Sequence, residues 1–222
     1  MGRKNKILMD IFQSLAQTLG RQHWWPAETA FEVAVGAILT QNTTWNNTVL
    51  AINNLKAGGL LSLEALAQVD QSILAEKIRP AGYYNLKAGR LKNFLGFIMN
   101  ELGGRFDALF QGPLAGLREN LLRVKGIGPE TADSILLYAG GLPTFVVDAY
   151  TRRILVRHAL VSEDDGYDEI RDMFMDHLPA DVELFNEFHA LFVKAGHLYC
   201  RPKPRCQGCP LEHMANSYSG EY

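Results

Sequence analysis

The feature that most constrains the fold is a glycine turn between two apolar helical segments. Residues 121–139 read LLRVKGIGPETADSILLYA, with Gly126 and Gly128 two positions apart and Pro129 directly after them. Glycine adopts backbone conformations closed to other residues, and proline suits the first position of a helix. Two helices therefore reverse direction here, and the free amides of the turn favour an anion. The alternative is an αα-hairpin that binds nothing.

Helical periodicity also dominates the rest of the chain. Apolar residues recur at three- and four-residue steps, and the one strand-like stretch is TFVV at 144–147. A polar run at 40–44 predicts a bend between two helices, a set of side chains that faces a groove, or both. These patterns predict an all-α fold.

Composition excludes several classes of protein. The chain has 222 residues, 47% hydrophobic and 21% charged, as expected of a globular protein. Its formal charge of -2 argues against a generally basic surface but allows a local basic site. No apolar run approaches the ~20 residues needed to cross a membrane. The N-terminus resembles an amphipathic helix and not a signal peptide, which predicts a cytoplasmic protein without a membrane partner.

Two further patterns carry chemistry. All three cysteines fall at 200–209, an odd and clustered set that favours metal or cluster ligation over disulfides. Asp148 ends the apolar stretch FVVD before the helical segment AYTRRIL. An aspartate there can cap the helix or act as a catalytic carboxylate, and the two roles are compatible.

Four segments, in order, together resemble the endonuclease III superfamily of DNA glycosylases, also called the helix-hairpin-helix-GPD superfamily. They are residues 35–55, 79–91, 124–153 and 199–211. The resemblance implies two helical lobes that flank a DNA-binding cleft. It implies a six-helix barrel over 29–139, with the hairpin at about 117–139. The second domain would join 1–28 to 140–222 and carry the cysteine loop 200–209.

The resemblance also assigns DNA contacts. The amides around Gly126, Ile127 and Gly128 would grip the phosphates beside a flipped nucleotide. Gln41 would fill the hole in the duplex. Tyr83, with Tyr84, would wedge into the opposite strand, although neighbouring tyrosines can also be core. The implied DNA-binding set is Gln41, Tyr83, Tyr84, Asn85, Lys125, Gly126, Ile127, Gly128 and Thr131.

Asp148 and Glu130 define the implied reaction. Asp148 matches the family's catalytic aspartate, which stabilises positive charge on the sugar or activates water. Glu130 stands where bifunctional members carry a lysine nucleophile, and a glutamate cannot form a Schiff base. This predicts a monofunctional glycosylase without AP lyase activity. The adenine-specific branch is disfavoured because ILTQNTTW (38–45) lacks its glutamate.

The tryptophans suggest the substrate. Trp-Trp-Pro before the groove helix resembles the 3-methyladenine DNA glycosylases of this superfamily. Electron-rich indole rings suit an electron-poor, often cationic, alkylated purine. A role in the core is the alternative, with equal weight for Trp24. The predicted base pocket is Trp24, Trp25, Pro26, Trp45 and Glu130.

The cysteine loop resembles the family's iron–sulfur loop but lacks its fourth cysteine, which would lie near Ala215. The favoured cofactor is a [4Fe–4S] cluster on Cys200, Cys206 and Cys209, with His213 as a candidate fourth ligand. Zinc on the same four residues, or no metal, are the alternatives.

The sequence thus predicts a base excision repair enzyme that flips out and hydrolyses alkylated purines such as 3-methyladenine. Its expected partner is double-stranded DNA containing damaged bases, and it is expected to act as a monomer. A same-fold glycosylase/AP lyase for oxidised pyrimidines or mismatched bases is one alternative. A noncatalytic helix-hairpin-helix DNA-binding protein is the other.

Overall fold

The structure, a computed structural model, describes residues 2–22 and 24–214. Over these residues it contains helices and no strand, which confirms the all-α prediction. None of the helices described is long and apolar enough to cross a membrane. The helices are α1 Arg3–Leu19, α2 Ala30–Leu39, α3 Trp45–Ala57, α4 Leu63–Gln68, α5 Gln71–Lys77, α6 Tyr84–Glu101, α7 Leu114–Leu122, α8 Pro129–Ser134, α9 Ala149–Arg157, α10 Tyr167–His177 and α11 Val182–Leu198.

Shorter helical turns complete the set. Three 3-10 segments cover Arg79–Ala81, Phe106–Phe110 and Glu212–Met214. A π-helical turn, Ile135–Ala139, continues α8 directly. Such wide turns often occur at functional sites.

The chain divides into two compact units. One is Trp25–Leu142, and the other joins Met1–Trp24 to Pro143–Tyr222. The predicted boundaries, after residues 28 and 139, lie within four residues of these divisions. The six-helix barrel stays a prediction.

In the unit Trp25–Leu142, the core forms around α2. Every residue from Glu32 to Leu39 is buried, as an apolar helix surrounded by other helices requires. The helix ends at Leu39, and α3 starts after Thr44, whose side chain accepts a hydrogen bond from the Asn47 amide at 3.4 Å. The polar run at 40–44 is therefore a bend between two helices, one of the two predicted readings.

In the other unit, the TFVV stretch is extended but forms no strand. Phe145 is fully buried and stacks on Phe174, with ring centroids 3.7 Å apart. Arg171 donates to the Thr144 hydroxyl at 3.0 Å. These contacts fix the segment by its side chains without a sheet, and Asp148 follows at its end.

Candidate active site

The hairpin between α7 and α8 has the predicted glycine turn. Gly126 has a φ of +100°, where other residues are strained, and a Cβ there would lie 2.3 Å from the Arg90 Cγ. Ile127 is buried and its amide donates to the Val124 carbonyl at 3.0 Å. Within the described residues, the amides of Gly126 and Gly128 donate to no protein acceptor. These two amides, more than that of Ile127, are available to an anion.

Gln41 lies against this hairpin. Its Nε2 donates to the Gly126 carbonyl at 3.1 Å and to the Thr131 hydroxyl at 2.8 Å. Its Oε1 accepts a short hydrogen bond from Arg90 Nη1. The structure therefore brings together three of the predicted DNA-binding residues. Arg90, which no motif or spacing in the sequence marks as a site residue, joins them.

Tyr83 lies exposed at the start of α6. Tyr83 is 70% exposed and has a φ of +44°, a left-handed conformation that is uncommon outside glycine. Asn85 is also exposed, whereas Tyr84 is half-buried with the Arg79 guanidinium 5.8 Å from its ring centroid. Tyr83 has the exposure that a wedge requires, and Tyr84 is partly a packing residue.

Lys87 is a buried cation beneath this segment. Its side chain is 1% exposed, and Nζ donates to the carbonyls of Leu39 at 2.8 Å and Ala81 at 2.6 Å. Burial, with the nearby charge of Arg90, lowers the pKa of Lys87 to about 8. Lys87 thereby ties the end of α2 to the turn before Tyr83.

Aromatic rings cluster around Trp25. Trp45 meets Trp25 edge to face at 4.9 Å between centroids, and Tyr138 lies 5.1 Å away. Gly36 lies against this indole, and a Cβ there would be in ordinary van der Waals contact with it, 3.4 Å from Trp25 Cζ2. Tyr138 was not predicted as part of the pocket, because its apolar helical context resembled core.

The other predicted pocket residues differ in their surroundings. Trp24 belongs to the other unit and its indole nitrogen is buried. Pro26 is exposed. Glu130 is exposed in the first turn of α8, and its carbonyl accepts a bond from the Ser134 hydroxyl at 2.7 Å. Lys125 is exposed, and its carbonyl accepts from Asn93 at 2.9 Å.

Asp148 caps α9, as the sequence suggested. Its Oδ1 accepts from the Thr151 amide at 2.7 Å, while Oδ2 lies 3.7 Å from His189 Nε2. Within the described residues Oδ2 accepts no hydrogen bond, and the side chain is 13% exposed. Burial lowers the pKa of His189, partly offset by the Asp148 charge, so the imidazole is neutral at neutral pH. Asp148 thus keeps one oxygen uncommitted beside a neutral ring.

The three cysteines line a single cavity of about 80 Å³, together with His158 and Arg157. Arg157 donates to the Cys200 sulfur at 3.2 Å, and burial raises the pKa of the Cys209 thiol. The donor type suits a cluster. Among the described residues, however, no three His, Cys, Asp or Glu side chains are arranged to hold a metal ion. His213 is exposed and does not line the cavity, and Ala215 lies outside the described residues.

Comparison with known proteins places this geometry in a family. The HhH-GPD superfamily base excision DNA repair protein family matches residues 35–180. The chain belongs to this superfamily. A Methanocaldococcus jannaschii protein named "Putative DNA repair glycosylase MJ1434" is 47% identical over 215 residues, 96% of this chain and 98% of that protein. Endonuclease III of Sulfolobus acidocaldarius is 27% identical, covering 85% of this chain and 82% of its own.

Solved structures agree. The H. pylori 3-methyladenine DNA glycosylase MagIII, bound to 1,N6-ethenoadenine, has 30% identity and a TM-score of 0.75, covering 87% of this chain and 97% of its own. An endonuclease III–DNA complex, at 21% identity, has a TM-score of 0.81 over 97% of this chain and 96% of its own, which shows the shared fold. The predicted resemblance is confirmed, and the chain is a base excision repair DNA glycosylase of this superfamily.

Proposed function

We propose that this glycosylase removes alkylated purines, with 3-methyladenine as the leading substrate. The observation that carries the proposal is the aromatic cluster of Trp25, Trp45 and Tyr138. Electron-rich rings bind an electron-poor or cationic base by stacking and cation–π attraction, worth about 0.5–2 kcal/mol per contact. The similarity to MagIII, named as a 3-methyladenine glycosylase, supports the same substrate class.

Asp148 supplies the charge for bond cleavage. As the C1′–N bond lengthens, its electron pair leaves with the purine and the sugar becomes cationic, as in other glycosyl transfers. The uncommitted Oδ2 stabilises that cation and accepts the proton of the water that bonds to C1′. Capping through Oδ1 fixes the direction of the carboxylate while this happens. Methylation has already weakened the glycosidic bond, so this one carboxylate suffices.

The enzyme we propose is monofunctional. Glu130 occupies the position where the bifunctional members of the family carry their lysine nucleophile, and a carboxylate forms no Schiff base. Lys125 precedes the hairpin, with its carbonyl held by Asn93. Water is therefore the nucleophile, and the product is an intact strand with an abasic site.

The substrate is tested on duplexes carrying 3-methyladenine, 7-methylguanine, thymine glycol or a G·T mismatch. Alkaline cleavage scores the abasic sites formed. We expect release from the alkylated duplexes, and about 3- to 30-fold lower kcat/KM for Trp45→Leu. Phe106→Leu trims a different half-buried ring of the same unit and serves as the matched control. Release from thymine glycol or G·T alone would exclude the proposed substrate class.

The single-function chemistry is tested by borohydride trapping, which captures a Schiff base as a covalent protein–DNA adduct. The wild type should give no adduct above background on alkylated duplexes. Glu130→Lys places an amine at the family's nucleophile position and should give one. A wild-type adduct, or strand scission without alkali, would show a lyase step.

For the cysteine loop, the [4Fe–4S] cluster stays a prediction. It is supported by the three thiols that line one cavity, and opposed by the lack of three converging donors among the described residues. Analysis of iron, sulfide and zinc in anaerobically purified protein distinguishes the three predictions. Iron with sulfide indicates the cluster, zinc alone indicates a zinc site, and neither indicates a loop without metal. The binding partner we propose is double-stranded DNA with a damaged base, bound by a monomer.

A further inference from the structure

Three side chains of helix α6 bind to the segments that are expected to contact DNA. Lys87 binds the carbonyls of Leu39 and Ala81, Arg90 binds Gln41, and Asn93 binds the Lys125 carbonyl. These three residues recur every third position, so they share one face of the helix. The face thereby connects the bend after α2, the turn before Tyr83 and the hairpin.

Arg90 is at the centre of this face. Its aliphatic stem packs so closely on Gly126 that a Cβ there would lie 2.3 Å from Cγ. Its guanidinium donates to Gln41 Oε1, while Gln41 Nε2 is bound by Gly126 and Thr131. Every polar atom of the Gln41 side chain is therefore engaged, and Arg90 contacts both the glutamine and the turn.

We propose that Arg90 is a positioning residue that fixes Gln41 to the hairpin, so that these two DNA-contacting segments engage the duplex as one rigid unit. The inference rests on the DNA-contact roles assigned to Gln41 and the hairpin. It goes beyond them by assigning a task to a cation that does not itself bind a phosphate.

The physical reason lies in the cost of base extrusion. Unstacking a nucleotide costs a few kcal/mol, which is recovered only when protein groups replace the lost stacking and hold the strand. A residue that fills the hole and a turn that binds the phosphate are most effective when their spacing is already set. Arg90 sets that spacing because its guanidinium donates a hydrogen bond to Gln41 while its aliphatic stem packs on Gly126.

The test uses a duplex with a tetrahydrofuran abasic analogue and 2-aminopurine stacked beside it, which requires no base release. Arg90→Met should lower the 2-aminopurine fluorescence increase and the affinity for this duplex about tenfold. The slope of log K against log salt should stay at the wild-type value, since loss of a direct phosphate contact would reduce it by about one. Arg90→Lys, which keeps the charge and the stem, should also lose extrusion because its ammonium ends one bond short of the position from which Nη1 donates to Gln41.

Lys92→Met is the matched control, because Lys92 is a cation of the same helix that binds the carbonyls of Leu66, Ala67 and Val69 instead. It should keep wild-type extrusion. A salt slope reduced by one in Arg90→Met, or wild-type extrusion in Arg90→Lys, overturns the inference. If the wild type itself gives no fluorescence change, the assigned DNA contacts fail and the inference fails with them.

Discussion

Two aspartates in the superfamily's matched region have opposite surroundings. Asp133, on α8, is fully buried, and Arg118 Nε donates to both of its oxygens at 3.0 and 3.1 Å. Asp148 has one oxygen bound by the Thr151 amide at 2.7 Å and the other 3.7 Å from His189. Both oxygens of Asp133 therefore accept hydrogen bonds from Arg118, whereas only one oxygen of Asp148 is bound within its unit.

The difference separates a carboxylate that holds structure from one that can do chemistry. A carboxylate already paired with a guanidinium would have to break that ion pair before it could stabilise positive charge on a substrate. A carboxylate fixed through one oxygen keeps its direction and leaves the other oxygen for chemistry, which we propose is the stabilisation of a sugar cation. Removing Asp148 should therefore affect the reaction, and removing Asp133 should affect stability.

The largest effect is expected for Asp148→Asn. Asparagine is also a good N-cap, so α9 should keep its start while the charge is lost. Single-turnover base release should fall about 10²- to 10⁴-fold. Binding to the abasic-analogue duplex should stay at the wild-type level, and release at the wild-type rate would contradict the role given to Asp148.

Asp133→Ala should produce the reverse pattern. Arg118, whose side chain is 14% exposed, would lose its carboxylate partner, at a cost of about 3–5 kcal/mol in the free energy of unfolding. Urea denaturation followed by tryptophan fluorescence measures this. Base release per folded molecule should change little.

The control for Asp133 replaces both partners. Arg118→Met with Asp133→Leu removes the pair together and should recover most of the lost stability, because apolar residues can replace a buried pair. A single variant as stable as the wild type would show that the pair is not needed by the fold.

Local features of the structure were predictable from the sequence. Caps and breakers act over a few residues, so the starts of α4 and α9 follow from Ser62 and Asp148, and the end of α2 from the polar run at 40–44. The glycine turn was predictable for the same reason, since its positive φ at Gly126 is a local requirement.

Contacts between distant residues were not predictable. Arg90 and Gln41 are 49 positions apart, and no spacing or periodicity in the sequence predicts their contact. Tyr138 and Asp133 both lie in an apolar helical run, whose pattern indicates only that it is part of the core. The contact of Tyr138 with Trp25 and the ion pair of Asp133 with Arg118 can be seen only in the folded structure. The cysteine loop is the opposite case. Its spacing suggests a metal site and its three cysteines line one cavity, but no three His, Cys, Asp or Glu side chains of the described residues are arranged to hold a metal ion.

The smallest effect concerns the neighbour of Asp148. Burial lowers the pKa of His189, so the unfolded chain binds a proton on this residue before the folded protein does. The neutral form of His189 therefore favours the folded state fully at pH values above 6.5. This stabilisation is lost as the pH falls from 6.5 towards the lowered pKa of the folded protein. As the pH falls below 6.5, the wild type should therefore lose stability relative to His189→Gln, by at most about 1.4 kcal/mol for each pH unit, measured by urea denaturation. Because Asp148 partly offsets the shift, Asp148→Asn should extend the loss to lower pH. Parallel curves for wild type and His189→Gln would show that the imidazole beside Asp148 is not held neutral by the fold.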